Sequence, residues 1–203
     1  MRVGIFGGTF NPIHTGHVKA ALQFVKSANL DRLLVIPDKI PPHKVIVGED
    51  HPEQRLHMTE LAFREADRSG KITVSDMEIR REGKSYSYYT VSALAEEGTE
   101  LFLYCGTDML LSFDTWYRFE DILSLCTLAY AGREEQDAAL SARVSEKIAT
   151  LTEKYGARIF VIPLDPIETS SSEIRGRFLS GEDASDLLPA SVYDYIKENK
   201  LYQ

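Results

Sequence analysis

The sequence predicts an α/β domain built on a doubly wound, mostly parallel sheet with helices on both faces. Short apolar runs alternate with helical patterns along the whole chain, the first run passes through a glycine pair into a helix, and the 203 residues carry enough apolar character (43%) for a sheet covered on both sides. The expected strands are Arg2–Phe6, Arg32–Ile36, Ile72–Ile79, Glu100–Cys105, Thr127–Ala131 and Arg158–Ile162. The first helix follows with apolar residues at Val18, Ala21, Leu22 and Val25, the spacing of one buried face, and Thr15 is its expected N-cap. Between the later strands, Leu140, Val144, Ile148, Leu151 and Tyr155 form one stripe of a helix over Ala138–Tyr155, with Gly156 as its stop. A last helix is expected from about Pro189, with Val192, Tyr193 and Ile196 as its apolar side and a cap near Asn199. One domain over residues 1–203 accounts for this pattern, with no repeat, linker or low-complexity tract. The stretch Pro37–Pro52 interrupts it with a longer loop, and long loops in compact domains often bind ligands.

Composition narrows the class of partner. The net charge is −8 and the isoelectric point is near 5.2, so the basic face that nucleic acid or an anionic membrane requires is not expected. An anionic small substrate would have to meet a local positive field. Cys105 and Cys126 are the only cysteines; both lie in apolar runs, in no zinc-like spacing, and read as reduced core residues. With neither a signal-like leader nor an apolar run of membrane-spanning length, the expected location is cytoplasmic.

The chemistry concentrates at residues 7–17, Gly-Gly-Thr-Phe-Asn-Pro-Ile-His-Thr-Gly-His, which join the first strand to the first helix. A strand-to-helix junction is where α/β proteins hold phosphate. Gly7 and Gly8 permit a tight turn and a close ligand, and the helix start offers free N–H groups and a positive dipole end. His14 and His17 flank that end. A lone histidine is usually a satisfied polar residue and a glycine pair usually only a turn; their coincidence at a helix start favours a functional site. Neither a G-x-G-x-x-G fingerprint nor a G-x-x-x-x-G-K-[ST] loop is present, which argues against hydride transfer and a P-loop kinase. A second cluster, Ser170-Ser171-Ser172-Glu173-Ile174-Arg175, reads as a capping box in which Ser170 and Glu173 open a late helix toward Phe178 and Leu179.

His14-Thr15-Gly16-His17 resembles the H-x-G-H signature of the nucleotidyltransferase superfamily, in its long form G-G-T-F-N-P-x-H-x-G-H. With the late S-S-S-E-I-R segment, the chain resembles the bacterial nicotinate mononucleotide adenylyltransferases, whose late motif reads S-S-T-x-I-R; Ser172 stands in place of the Thr. Ile36–Lys44, ending P-P-H-K, Arg55–Ala62, and Gly106-Thr107-Asp108 followed by Trp116 look like the same family. The resemblance spans nearly the whole chain and implies a Rossmann-like fold. It further implies transfer of AMP from ATP to nicotinate mononucleotide, giving nicotinate adenine dinucleotide and pyrophosphate in NAD biosynthesis, with Mg²⁺ accompanying ATP.

Residue by residue, the resemblance implies that backbone groups of Gly8, Thr9 and Phe10 receive ATP phosphate. His14 and His17 then bind the phosphates and the charge that develops during transfer, and Lys44 and Arg175 add positive charge. Gly106 and Asp108 hold the adenosine, Ser170, Ser171 and Ser172 close the triphosphate site, and Ile174 lines the adenine side. Asn11, Lys44, Ser85 and Ser87 serve the mononucleotide, whose pyridine stacks on Trp116 with Tyr117. Trp116 and Asp108 have plain structural alternatives as core aromatic and helix-terminal acid. Two further positions depart from the family pattern: Tyr89 stands where S-Y-T-x-D-T-L has its Asp, and Asn199 replaces a C-terminal His.

The attacking phosphate is already largely dianionic at neutral pH, its second pKa being about 6, so positioning and electrostatics suffice without a strong general base. Alternatives at this level are nicotinamide mononucleotide as acceptor, or both acceptors, and a non-catalytic nucleotide-binding regulator. Pantetheine phosphate adenylyltransferase shares H-x-G-H but lacks the P-P-H-K and Trp116 context. The acidic surface is compatible with a monomer or a homodimer.

Overall fold

A computed structural model describes residues 1–42, 51–132, 137–163 and 169–203. Six parallel strands form one sheet: β1 (Arg2–Gly8), β2 (Arg32–Pro37), β3 (Ile72–Val74), β4 (Glu100–Gly106), β5 (Cys126–Ala131) and β6 (Ile159–Val161), in the order β3-β2-β1-β4-β5-β6. That order runs outward from β1 to one edge and then, through β4, to the other, the doubly wound arrangement expected from the sequence.

Strand alternation assigns each apolar residue to a face. Phe6, Leu33, Val35 and Phe102 join the layer that includes Val18, Ala21 and Phe24 of α1 (Thr15–Ser27), Met58, Ala62 and Phe63 of α2 (Pro52–Ala66), Phe178 of α8 (Ser171–Ser180), and Val192 and Ile196 of α9 (Ala190–Glu198). Val3, Ile5, Leu34, Ile36, Leu101 and Leu103 face the opposite layer, which holds Val91 of α4 (Ser87–Leu94), Leu110 of α5 (Thr107–Leu111), Ile122 of α6 (Phe119–Leu125), and Val144 and Leu151 of α7 (Ala138–Tyr155). The α7 stripe and its stop agree with the sequence pattern: Gly156 takes the left-handed conformation (φ 66°) and its N–H donates back to Leu151 and Thr152. Cys105 and Cys126 are both buried thiols on the second layer, as expected.

Three local expectations are revised. The run from Ile72 stops as a strand at Val74; Met77–Arg80 is a single helical turn, α3, whose start is closed by an Asp76–Arg80 ion pair at 2.6 Å and by the Ser75 hydroxyl accepting from Met77 N. The buried face of α1 is rotated from the one expected. Ala20 and Phe24 are buried with Val18 and Ala21, whereas Leu22 is 36% exposed. Leu179 likewise faces solvent while Phe178 is buried. Trp116 follows a one-turn 3-10 helix, Phe113–Thr115, as its C-cap.

Register positions the site. β1 and β4 pair only from Arg2/Glu100 to Ile5/Leu103; beyond that, Phe6–Gly8 pair with Val35–Pro37 of β2 and Tyr104–Gly106 pair with Ala129–Ala131 of β5. The two central strands therefore part at their carboxyl ends and open a crevice, the place where open α/β sheets bind ligands.

Close packing at the root of β1 makes a test of this core. A Cβ on Gly4 would overlap Leu30 Cδ1 and stand 2.7 Å from Leu33 Cδ1 and 3.1 Å from Phe24 Cε1. All three neighbours are fully buried. Gly4→Ala is expected to lower stability by about 1–3 kcal/mol through overpacking, read as a lower urea midpoint with an unchanged slope.

Candidate active site

Residues Thr9–His14 leave β1 at the crevice and enter α1. Gly8 is required here by the protein itself: a Cβ would lie 2.7 Å from the ring of Phe10, which folds back over it. Phe10 takes a left-handed conformation (φ 48°), is buried, and stacks on Phe6 at 5.8 Å. Sequence reasoning assigned the glycine to ligand approach, whereas the space is filled by an aromatic ring.

Helix α1 begins at Thr15, so the N-cap is His14 and not Thr15 as expected. His14 Nδ1 accepts from His17 N and His17 Nδ1 accepts from His14 N, each at 3.3 Å, a reciprocal capping box made of imidazoles. The rings stack with centroids 3.7 Å apart, and the edge of His17 meets Phe10 at 5.1 Å. Because each Nδ1 accepts a backbone N–H, the neutral tautomer carries its hydrogen on Nε2, which makes Nε2 a donor in both rings. The helix start is less open than the sequence suggested. Thr15 N and Oγ1 both donate to Leu187 O at 3.0 Å, and His17 N is taken by His14. What remains for an anion at this end is the positive dipole, with no acidic residue in the first turn, and the two imidazoles.

The late motif closes on the same turn. Ser170 caps α8 by accepting from Glu173 N at 3.1 Å, but the Glu173 carboxylate pairs with Arg177 at 2.9 Å, so the expected capping box is half formed. Ser171 Oγ donates to Pro12 O at 2.8 Å; Arg175 donates to Asn11 O at 2.7 Å and to Ser172 Oγ at 3.2 Å. Tyr202 Oη donates to Asn11 Oδ1 at 2.6 Å. Sequence positions more than a hundred and fifty residues apart are thus hydrogen-bonded around one loop. Ile174 is fully buried in the apolar layer.

On the other side of the crevice, Gly106 is the N-cap of α5 and Asp108 lies exposed in its first turn. A Cβ on Gly106 would meet nothing within 4 Å, so open space adjoins the end of β4. Thr107 Oγ1 lies 3.4 Å from Tyr130 Oη, linking this helix start to β5.

A third group lies after β2. Ser85 is buried, its hydroxyl accepts from Lys39 N at 2.9 Å and its N–H donates to Ile40 O at 2.9 Å. Ser87 opens α4. Tyr117 is 44% exposed and packs among Tyr86, Tyr88 and Tyr89 at 4.9, 5.9 and 5.8 Å, and hydrogen bonding to Tyr89 raises its phenol above the ordinary value. Tyr89, where an Asp was expected, therefore contributes a ring to this aromatic group. Trp116 stacks on Phe113 at 4.9 Å. Lys44 lies outside the described residues.

Sequence reasoning missed Arg55 as an individual residue. It is 1% exposed and donates to Thr9 O, Asp38 O and Asp38 Oδ1 at 2.7, 2.8 and 3.2 Å, and to Lys39 O at 3.3 Å. The only signal in the chain was an arginine among the apolar positions of α2.

The paired imidazoles and an arginine beside a crevice between parting parallel strands define an α/β protein of the nucleotide-binding transferase class. The profile of cytidylyltransferase-like proteins matches residues 5–177. Two relatives carry the name probable nicotinate-nucleotide adenylyltransferase. That of Geobacter sulfurreducens is 38% identical over 215 residues, covering 100% of this chain and 98% of its own; that of Clostridium acetobutylicum is 35% identical over 200 residues, covering 98% and 97%. The chain belongs to the cytidylyltransferase-like family and, within it, to the nicotinate-nucleotide adenylyltransferases. Its fold matches the Plasmodium falciparum nicotinic acid mononucleotide adenylyltransferase solved with NaAD, at TM-score 0.74 and 16% identity over 99% of this chain and 97% of that one. The same enzyme solved with APC matches at TM-score 0.72 and 17% identity, over 99% and 96%. Among the described residues, no helix is long and apolar enough to cross a membrane.

A buried carboxylate beside the third group yields a pH test. Glu78 is buried, accepts from the Thr90 hydroxyl and lies 3.8 Å from Arg81; burial pushes its carboxyl above the ordinary 4.5, against the pull of Thr90 and Arg81. The folded state thus holds this proton more tightly than the unfolded chain. Its contribution to stability is fully present below 4.5 and is lost as pH rises through the raised folded value. Glu78→Gln is expected to flatten that decline, seen as urea midpoints that converge with or exceed those of the unaltered protein toward neutral pH. A constant difference at every pH would show that ionisation of Glu78 is not involved.

Proposed function

We propose that this protein transfers AMP from ATP to nicotinate mononucleotide, releasing pyrophosphate and forming nicotinate adenine dinucleotide, through the site built around His14 and His17. The observation that carries the reading is the stacked, mutually capped imidazole pair at the crevice, with Arg175 tied to the same loop. The names of the full-length relatives supply the acceptor.

In this reading ATP lies across the parted ends of β1 and β4. Backbone groups of Gly8, Thr9 and Phe10 receive its phosphates, while Gly106 and Asp108 hold the adenosine, the exposed carboxylate of Asp108 accepting from ribose hydroxyls. Ser170, Ser171 and Ser172 keep α8 and Arg175 against Asn11 and Pro12, and the backbone near Ile174 borders the adenine. The mononucleotide enters beside Asn11, Ser85 and Ser87, with its pyridine against Trp116 and Tyr117, and Lys44 adds charge from its loop. The phosphate attacks the α-phosphorus of ATP, the new P–O bond forming as the bond to pyrophosphate breaks. The Nε2–H donors and Arg175 stabilise the charge that builds on the phosphoryl oxygens, the kind of fixed electrostatic support that dominates such transfers.

Among the described residues no three His, Cys, Asp or Glu side chains converge as an ion site. Mg²⁺ therefore fits as part of the ATP complex, held by its phosphates, where it would neutralise charge on the departing pyrophosphate. A monomer or a homodimer is compatible with this site, and the cytoplasm is the compartment that supplies both substrates.

Pyrophosphate release with ATP and Mg²⁺ tests the reaction, with nicotinate mononucleotide in one vessel and nicotinamide mononucleotide in the other. Strong preference for the nicotinate form is expected; equal use would revise the Ser85–Tyr89 pocket, and silence in both would refute the reading. His17→Asn separates chemistry from capping, because Asn Oδ1 replaces Nδ1 as acceptor but supplies no Nε2–H. The variant is expected to lose about 10²-fold in kcat while its thermal midpoint stays near that of the parent.

A further inference from the structure

Among the described residues, Arg55 is the largest fully buried side chain, and the reaction outlined above gives it no part. Its guanidinium lies beneath the turn that leaves β1, with Asp38 beside it; their side chains are 2% and 13% exposed. Together they fix successive groups of that turn. Asp38 N donates to Gly8 O at 3.0 Å, Arg55 Nη1 donates to Thr9 O at 2.7 Å, and Thr9 Oγ1 donates to Asp38 Oδ2 at 2.8 Å.

Peptide geometry turns these bonds into a direction. In a planar trans peptide the C=O of one residue and the N–H of the next point in opposite directions. Holding Gly8 O toward Asp38 aims Thr9 N–H the other way, and holding Thr9 O toward Arg55 does the same for Phe10 N–H. Asp38 and Arg55 follow β2 and lie in α2, on the β2 side of β1, whereas the crevice lies on the β4 side. We propose that Asp38 and Arg55 are positioning residues that lock the Gly8–Phe10 peptides so that their N–H groups face the crevice and receive the ATP phosphates.

Arginine suits this task because its planar fork reaches several acceptors at once; a lysine ammonium in the same place holds fewer of them in fixed directions. The carboxylate of Asp38 compensates the buried charge and is shared, with Oδ1 on Arg55 and Oδ2 on Thr9. The Thr9 hydroxyl therefore acts through Asp38, not on the nucleotide. The inference rests on the assignment of ATP to this turn, and its test reads binding apart from turnover.

Calorimetric Kd values for a non-hydrolysable ATP analogue and for nicotinate mononucleotide, with kcat and both KM values, decide the matter. Thr9→Val keeps the shape and removes the bond to Asp38, and is expected to weaken the analogue about tenfold, the scale of a hydrogen bond to a charged group, while the mononucleotide binds as before. Thr9→Ser restores the affinity. Asp38→Ala also removes the pairing with Arg55 and weakens the analogue at least as much, and adding Thr9→Val to it costs nothing further, since the Thr9–Asp38 bond is already gone. Arg55→Lys follows the same ATP-selective pattern, and if it or Asp38→Ala fails to fold, the Thr9→Val and Thr9→Ser pair still decides. Unchanged analogue affinity in Thr9→Val, equal loss for both ligands, or multiplying effects in the double variant would overturn the proposal. An unaltered protein that binds the analogue yet makes no pyrophosphate refutes the proposed reaction and leaves the positioning test intact; one that binds no analogue refutes both.

Discussion

The parting of β1 from β4 after Ile5 and Leu103 is the constraint from which the rest of the site follows. A parallel sheet that changes winding direction at its centre cannot cover the carboxyl ends of those two strands with the same connection, because the segment after β1 returns to β2 and the segment after β4 returns to β5. The gap is a product of topology before any side chain is chosen. Residues at the gap are relieved of ladder hydrogen bonding on one side, so Thr9–Asn11 and Gly106 have backbone groups available for a ligand. The turn is then held by groups from the β2 side or from above.

Those groups come from distant parts of the chain. Asp38 and Arg55 act from β2 and α2, while Ser171, Arg175, Leu187 and Tyr202 reach the loop from the C-terminal helices and their connections. The contacts from above are chiefly side chain to backbone carbonyl, which fixes the loop without demanding particular side chains from it. Closure of long loops is entropically costly, and the packing of α9 on α2 and of Phe178 in the same apolar layer offsets it.

Much of this was legible in the sequence, and the limits have physical causes. The strands β1, β2, β4, β5 and β6 and the helix α7 declared themselves because their apolar residues follow one period and their ends carry glycine or a charged break. The Ile72 run was misread because Met77 and Ile79 repeat the spacing of Ile72 and Val74, but one residue out of step with it; the break falls at Ser75–Asp76, where the strand ends and the helical turn begins. Thr15 was a reasonable cap by residue type, but an imidazole Nδ1 accepts an N–H as a hydroxyl does, and two histidines three apart do so reciprocally. Arg55 showed in the sequence only as an arginine on the buried face of α2, and its role emerged only in three dimensions, because its partners are mostly backbone carbonyls, which leave no residue signature.

The same reasoning resolves the apparent conflict between a chain of net charge −8 and trianionic or tetraanionic substrates. Charges on the surface are screened within about 8–10 Å at physiological ionic strength, so the far carboxylates count for little at the crevice. What counts is the sign of the nearest groups, and around the turn after β1 the acids are absent, paired or shared. The first turn of α1 carries none, Glu173 at the start of α8 is held by Arg177, and Asp38 is shared between Arg55 and Thr9. Among the described residues Arg175 brings positive charge to the turn, and the start of α1, the imidazole Nε2–H bonds and the aligned peptides add their dipoles. A neutral but donating imidazole pair suits this setting better than two fixed cations. Stacked at 3.7 Å, two imidazolium rings would repel one another in the unliganded protein, whereas neutral rings pack closely and still offer hydrogen to phosphoryl oxygens whose charge grows during transfer.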